Sequence, residues 1–418
     1  MSKKSTEIVL SADQKEALEV LDTDDSVFLT GEAGSGKSYV IRQFLRGKDQ
    51  KMYPSLASTG AAAVLVGGRT FHSFMGLGIL EGGRAGVLAK AMKDKRLHKR
   101  LQQAHGFVLD EVSMLSGETL DIAEEICRTV RDSDLPWGGL RVVAVGDFAQ
   151  LPPVEKYSRE KNWAFEHPIW SRSSFLTIGL RQNMRTQDQE FLSVLNDIRA
   201  GEASERVKYF LESRKVEDSE HLVGTRLYPR RAQADQHNMS QLALIDHEHF
   251  ELKTDYGGSD DAVRRIKEMA PIPEVLHLKI GAYVMLRMND PKGRFVNGST
   301  GFLKERSDGN LLIELMSGRQ VAIEKMTFQM LNAEGTPIAI ATNFPISLAY
   351  AVTIHKAQGL TVDQAIVDLR RLWEPGHAYV AVSRVKLGQN LFVEGWEASS
   401  IRSDAKVQKF YDDLRGPF

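Results

Sequence analysis

The sequence predicts an α/β protein with two parallel-sheet domains, each interrupted by an insertion. Three observations lead there. A phosphate-binding loop joins an apolar run to a helical pattern near the start of the chain. Short apolar runs then alternate with helical patterns through the first half. A second alternating set in the later half is broken by short strands separated by glycine turns.

The first element is the apolar run Val27-Phe28-Leu29-Thr30, which reads as a buried parallel strand. It leads into Gly31-Glu32-Ala33-Gly34-Ser35-Gly36-Lys37-Ser38, and Tyr39 to Leu45 reads as the helix leaving that loop. The glycines let successive N–H groups turn toward a triphosphate, and the helix N-terminus adds its positive dipole end. Lys37 can reach the β- and γ-phosphates while the Ser38 hydroxyl ligates Mg²⁺. All eight positions are filled and flanked by strand and helix, so the chain is expected to bind a nucleoside triphosphate such as ATP.

The remaining first-half strands are expected at Ser55–Thr59, Gly106–Leu109, Arg141–Gly146 and Phe175–Leu180. Their polar loops follow the carboxyl ends, where open α/β sheets hold ligands. Between Gly67 and Arg100 a glycine-rich stretch and a basic helix read as a small insertion over the sheet edge. The second set comprises Leu222–Leu227, Ala365–Leu369 and Leu391–Val393. From Pro271 to Asn343 runs such as Ala282–Leu286, Gly301–Leu303 and Leu311–Leu315 alternate with turns at Asp308-Gly309-Asn310 and Ser317-Gly318, which suggests a small β-barrel. The expected domains are therefore 1–175, with an insertion at about 67–100, and 176–270 plus 344–418, with the barrel at 271–343. Two such domains leave a cleft between them.

A nucleotide hydrolase needs a carboxylate for the metal and a base for water. Asp110 and Glu111, at the end of Val108-Leu109, supply them in that order. Gln150, in Gly146-Asp147-Phe148-Ala149-Gln150-Leu151-Pro152-Pro153, has an amide that can both donate to and accept from a γ-phosphate and its water. Arg185 and Arg384 could stabilise transition-state charge from across the cleft, although each taken alone reads more readily as a surface ion pair.

Composition narrows the alternatives. Among 418 residues, 42% are hydrophobic and 26% charged, and the formal net charge is −1, so any nucleic-acid surface must be a local groove. The basic runs Lys90 to Arg100 and Arg226 to Arg231 do not by themselves establish one. One cysteine, Cys127, excludes an internal disulfide and any multi-cysteine zinc site; its helical context predicts a buried structural thiol. No apolar stretch approaches about 18 residues, so no membrane partner is expected, and a reducing, cytoplasmic setting fits.

With these residues in place, the chain resembles superfamily 1 DNA helicases of the 5′→3′ branch, specifically the Pif family. Leu10-Ser11-Ala12-Asp13-Gln14 is similar to the adenine-reading Q motif, with Gln14 as reader. Ser58-Thr59-Gly60-Ala61 resembles motif Ia, which implies backbone contacts to single-stranded DNA by Thr59 and Gly60. Arg69-Thr70-Phe71-His72-Ser73-Phe74 matches a Thr-x-His-Ser element, implying DNA contact by His72 or Phe74. Glu118 through Pro136-Trp137-Gly138-Gly139 to Asp147 resembles the family's own signature. Thr353-Ile354-His355-Lys356-Ala357-Gln358-Gly359-Leu360 matches motif V, which places Gly359 beside the γ-phosphate and His355 and Lys356 on DNA. Ala381-Val382-Ser383-Arg384 matches motif VI, and the resemblance makes Arg185 and Arg384 finger residues.

The resemblance further implies two RecA-like domains, a wedge insertion in the first and an SH3-like β-barrel insertion in the second. It implies a monomer using ATP and Mg²⁺ on single-stranded DNA and single-strand/duplex junctions, with G-quadruplexes and RNA–DNA hybrids as further substrates to test. Roles in replication, repair, recombination and telomere maintenance would follow. Arg181-Gln182-Asn183 departs from the usual Thr-Glu ahead of the motif IV arginine. The long N-terminal extension of eukaryotic members is missing, which suggests a bacterial or phage core. A translocase that never separates strands would use the same motifs; a forked duplex distinguishes it. A small-molecule kinase explains neither Asp110-Glu111 with Gln150 nor the second-domain motifs.

Overall fold

The computed structural model describes residues 10–66, 68–78, 83–153, 161–290, 292–307 and 309–415. Gly67 and residues 79–82 of the expected first insertion, and Asp308 of the expected turn, lie outside the described residues.

Strands β1 (Val27–Gly31), β2 (Ser55–Ala57), β3 (Arg69–Thr70), β4 (Gly106–Asp110), β5 (Arg141–Val145) and β6 (Leu176–Leu180) form one sheet in the order β3-β2-β4-β5-β1-β6. All its pairings are parallel. β1, β4 and β5 are apolar runs buried on both faces, as helices covering both sides of a parallel sheet require. β3 was hidden in the expected insertion; its two residues pair with β2, so this part of the stretch belongs to the sheet. The rings of Phe71 and Phe74 go into the same core, and two helices, Gly83–Lys93 and Lys95–Gln103, follow where one was expected.

The second half begins with β7 (Thr225–Tyr228), β8 (Phe250–Lys253), β9 (Asp255–Gly258), β10 (Val275–Leu278) and β11 (Tyr283–Leu286). It continues with β12 (Thr300–Ser307), β13 (Asn310–Leu315), β14 (Gln320–Ile323), β15 (Met326–Leu331), β16 (Pro337–Asn343) and β17 (Ile346–Leu348). β18 (Ala351–Thr353), β19 (Ala365–Leu369) and β20 (Leu391–Trp396) close the series. A parallel sheet of order β18-β7-β19-β20 forms the second α/β core.

The stretch expected as one barrel divides. Five antiparallel strands, β14-β13-β12-β11-β17, enclose Leu303, Leu311, Ile313 and Ile346. The β15–β16 hairpin instead pairs with β9 in a three-stranded sheet, and β8 pairs with β10. The reason lies in side-chain alternation: Phe328, Met330, Ala339 and Ala341 form an apolar face that packs on Ala262 and Ile266 of helix Asp260–Met269 and on Val64 of the first domain. The inserted β region thus draws in β8, β9 and β17 from beyond the expected limits.

The C-terminal helix Ala405–Arg415 follows the second sheet in sequence but packs on the first core. Phe410 stacks on Phe165 at 4.4 Å among Phe28, Phe148 and Trp170. Trp163 Nε1 donates to Asp404 just before that helix. The Pro136–Gly139 signature is also structural: Trp137 is buried, its Nε1 donates to Ser173, and its N–H donates to the buried Glu124. Cys127 is a buried free thiol with Met75 Sδ at 3.8 Å, as its helical pattern predicts. Among the described residues no helix is long and apolar enough to cross a membrane.

Candidate active site

The phosphate loop bends because three of its residues take positive φ. At Gly34 (φ 91°) a Cβ would stand 2.6 Å from the Cβ of Arg185, so backbone conformation and close approach both require glycine. The loop is held from inside by Lys37, whose Nζ donates to the carbonyls of Gly31 (2.7 Å) and Glu32 (3.1 Å). Burial draws the Lys37 ammonium below its ordinary value, against the opposing pull of Asp147, Glu111 and Asp110. The Ser35 hydroxyl is buried without a partner, while Ser38 is exposed at the head of helix Lys37–Phe44.

Gln14 lies beside this loop, near the N-terminus of helix Ala12–Leu21. Its Oε1 accepts from Ser11 N–H in a capping box and its Nε2 donates to Ser35 O at 3.2 Å. Its neighbour Asp13 accepts from the N–H groups of Arg181 and Gln182, which ties the helix to the end of β6.

Asp110 closes β4 and Glu111 follows in a left-handed conformation, φ 54° and ψ 48°. A non-glycine residue held there is strained, and such strain collects at functional sites. Burial raises both carboxyls; with Asp110 alongside, Glu111 is pushed up to about 7. Glu111 Oε2 accepts from Gln358 Nε2 at 3.1 Å, a contact that crosses from the first sheet to motif V.

Two further contacts cross the same seam. Ala33 N–H donates to the Tyr379 hydroxyl at 2.9 Å. Arg185 lies against Gly34 and donates to Ser383 O at 2.6 Å. Burial lowers Arg185 to about 10 and Arg384 to about 9, the latter with Arg185 as a second cause. Arg384 is buried inside the second domain: Nε bonds Val380 O, one terminal nitrogen the carbonyls of Ala357 and Leu360, and the other Ser383 Oγ. It therefore joins motifs V and VI at the seam, with most of its donors engaged. Gly359 has positive φ and open space around it.

Gln150 is buried, its Nε2 3.4 Å from Asp147 Oδ2. Asp147 is the residue that the sequence reading passed over. Its Oδ1 accepts from Arg199 (2.8 Å), from Ala149 N–H (3.1 Å) and from the Tyr411 hydroxyl (3.1 Å). Tyr411 also accepts from Phe148 N–H and bonds Thr30 Oγ1, and Arg199 lies 4.4 Å over its ring. Burial alone would raise Asp147, but Arg199 and Lys37 outweigh it and hold the carboxyl below its usual range. Asp147 stood within a quoted motif; its partners, 52 and 264 residues away, carried no sequence signal.

The expected DNA residues fall in different settings. Thr59 caps helix Gly60–Val66 through Ala62 N–H, and Met269 lies against Gly60. His72 is half-buried. Phe74 corrects the expectation: its ring is 1% exposed in the core, with the Arg69 and Arg100 guanidiniums at 5.2 and 5.8 Å, so it has no surface to offer DNA. His355 and Lys356 are exposed on the short helix Ile354–Ala357. Burial of its ammonium, then the neighbouring Arg231 and Arg287, draw Lys356 below its ordinary value, against the opposing pull of Asp235.

Comparison with known proteins fits this geometry. The model of PIF1-like helicases matches residues 9–209. The chain is 47% identical to the ATP-dependent DNA helicase Pif1 of Bdellovibrio bacteriovorus over 410 residues, covering 98% of this chain and 93% of the relative. This chain belongs to the PIF1-like helicase family. Bacteroides Pif1 in complex with ADP-AlF4 superposes with a TM-score of 0.85 at 26% identity, over 98% of this chain and 97% of that one. Bacteroides Pif1 bound to single-stranded DNA gives 0.65 at 26% identity, with the same coverage of each.

Proposed function

We propose that this chain is an ATP-driven DNA helicase that moves 5′→3′ on single-stranded DNA and unwinds the duplex ahead. The observation that carries this is the seam: the phosphate loop, Asp110 and Glu111 lie on one side, and Gln358, Tyr379, Arg185 and Arg384 on the other, joined by the Gln358–Glu111 and Ala33–Tyr379 hydrogen bonds and by Arg185 packed against Gly34. ATP held on Gln14, Lys37 and Ser38 would draw both sides together, and its loss would release them. A relative named as an ATP-dependent DNA helicase, and Bacteroides Pif1 solved with ADP-AlF4 and with single-stranded DNA, support the reading.

The residues present fit Mg²⁺. Asp110 and Glu111 are two carboxyls raised by burial beside one another, a pair that a divalent cation relieves, and the Ser38 hydroxyl is exposed at the loop. Ser38 and Asp110 would hold it, and it would neutralise charge developing on the phosphates. Glu111 would orient and deprotonate the attacking water, with Gln150 sensing the γ-phosphate. Arg185 and Arg384 would spread the transition-state charge.

We assign the sheet β3-β2-β4-β5-β1-β6 and the sheet β18-β7-β19-β20 to two RecA-like domains; β6 (Leu176–Leu180) belongs to the first, beyond the expected boundary at 175, and β8, β9 and β17 go with the inserted region. The five-stranded inserted sheet is proposed as the SH3-like unit, and the helices after His72 as the wedge. Thr59, Gly60, His72, His355 and Lys356 would line the DNA path, and one chain supplies both sides of the seam, so a monomer suffices. The buried thiol of Cys127 fits a reducing compartment such as the cytoplasm. Matched duplexes carrying a 5′ or a 3′ single-stranded tail test the reading. Strand release from the 5′-tailed duplex with ATP is expected; preference for the 3′ tail, or ATP turnover that single-stranded DNA leaves unstimulated, overturns it. G-quadruplex and RNA–DNA hybrid substrates in the same assay define its range.

A further inference from the structure

On the outer face of the β8–β10 ribbon, far in sequence from the nucleotide motifs, three metal-ligating side chains converge. Glu251 of β8 stands directly opposite His277 of β10, and His249 lies two residues before Glu251, immediately ahead of the same strand. The period of two in a strand puts His249 and Glu251 on one face. His277 Nδ1 is 3.3 Å from His249 Nε2 and 3.3 Å from Glu251 Oε1, and all three candidate ligand atoms lie within 4.8 Å of one another. The imidazoles stack, with planes 17° apart.

We propose that His249, Glu251 and His277 form a binding site for a divalent transition-metal ion of the Zn²⁺ class, which ties β8 to β10. Metal–nitrogen and metal–oxygen bonds of about 2.0–2.1 Å at tetrahedral angles set ligand atoms about 3.3 Å apart. Two of the three edges already have that length. Protons alone serve the cluster poorly. His277 Nδ1 carries at most one proton, so it can bond either the imidazole or the carboxylate, whereas a cation takes a lone pair from all three. Two imidazoles and a carboxylate suit a borderline metal; Mg²⁺ prefers all-oxygen octahedral sites, so this site would not compete for the nucleotide's metal. The half-exposed position leaves room for water as the fourth ligand.

The ion would close a loop of 28 residues between His249 and His277. That loop contains β9 and helix Asp260–Met269, the two elements that carry the β15–β16 sheet against Val64 and Gly60 of the first domain. Metal binding would therefore fix the base of the segment that lies on motif Ia.

The test uses the full chain with any affinity tag removed, stripped by chelator and titrated with Co²⁺. One equivalent giving the intense visible bands of four-coordinate Co²⁺, bleached by Zn²⁺ and untouched by Mg²⁺, is expected. His249→Ala and His277→Ala should each weaken binding by at least about tenfold and abolish the Zn²⁺-induced rise in melting temperature. Both variants should keep the wild-type ATPase rate, which verifies that they fold. His277→Gln serves in place of a variant that does not. Only pale six-coordinate spectra, or a Zn²⁺-induced melting shift equal in wild type and both histidine variants, would overturn the site.

Discussion

Replacing Arg199 by Met tests whether the Asp147 cluster is a lock across the seam. Asp147 is fully buried and the Arg199 side chain is 12% exposed, so their 2.8 Å ion pair is largely shielded from water. Met matches much of the arginine stem but leaves the carboxylate with neutral donors alone, Ala149 N–H and the Tyr411 hydroxyl on one oxygen and Gln150 Nε2 on the other. Removing one partner of such a buried pair costs about 3–5 kcal/mol, because the remaining charge keeps its desolvation penalty. Arg199→Met should thus shift urea unfolding by about that amount and slow ATP turnover by disturbing Gln150. Asp147→Asn combined with Arg199→Met removes both charges and should recover more than half the lost stability, a coupling of about 2 kcal/mol or more in the double-mutant cycle. Strict additivity of the two single changes would refute the reasoning. The assay is denaturant unfolding of all four proteins under one buffer, with steady-state ATPase run in parallel.

Lys37→Ala should abolish ATP turnover, by about 10³-fold or more, while leaving single-stranded DNA binding measurable by anisotropy; near-normal unwinding would contradict the assigned centre. With Glu111 pushed up to about 7, kcat/KM for ATP should rise roughly tenfold from about pH 6 to about pH 8 at excess Mg²⁺, and Glu111→Gln should flatten the profile. The folded state holds this proton over a range where the unfolded chain has released it, so stability attributable to Glu111 falls as pH rises from about 4.5 to about 7. Gly376→Ala would place a Cβ 2.1 Å from Gln150 O at a φ of 81°; it should destabilise the protein by at least about 1–3 kcal/mol and reduce ATP turnover, both readable by thermal unfolding and a coupled assay. Gln358→Ala should preserve most DNA-independent turnover and lower the stimulation by single-stranded DNA, since it removes the contact between motif V and Glu111.

The parts of the fold that could be read from sequence are those whose cause is local. The phosphate loop is eight contiguous residues whose conformation is dictated by glycines, and strands β1, β4 and β5 are continuous apolar runs that only a doubly covered sheet can hide. Strands at sheet edges were harder. β8 and β9 have only exposed and half-buried residues, and β3 has two residues, too few to establish a period. Phe74 shows a different limit. The resemblance of Arg69–Phe74 to a Thr-x-His-Ser element implies DNA contact by His72 or Phe74, but here Arg69 and Arg100 lie over the Phe74 ring while turning their donors to Ala333 O and Phe74 O. The same residue types serve a core as well as a groove, and only the third dimension separates the two.

The contacts across the seam also bear on how hydrolysis could reach DNA. Glu111 touches Gln358, and Gln358 lies two positions from Lys356 and three from His355, the exposed pair on helix Ile354–Ala357. Arg384 reaches the carbonyls of Ala357 and Leu360 on either side of Gln358, so the part of motif V that carries Gln358 is held on both sides by a buried guanidinium. A segment clamped in this way moves as a unit. A change in the charge on Glu111, or in what its carboxylate bonds, therefore alters the position of the whole segment rather than one side chain. Asp147 provides the counterweight: with Arg199 and Tyr411 it fastens the opposite side of the cleft to the loop that carries Gln150. One side of the seam is thus pinned by a buried ion pair, while the other is joined by neutral-donor hydrogen bonds such as Gln358 to Glu111. Of the two, the Gln358 contact is the weaker and the one that a bound nucleotide can exchange without paying to strand a buried charge.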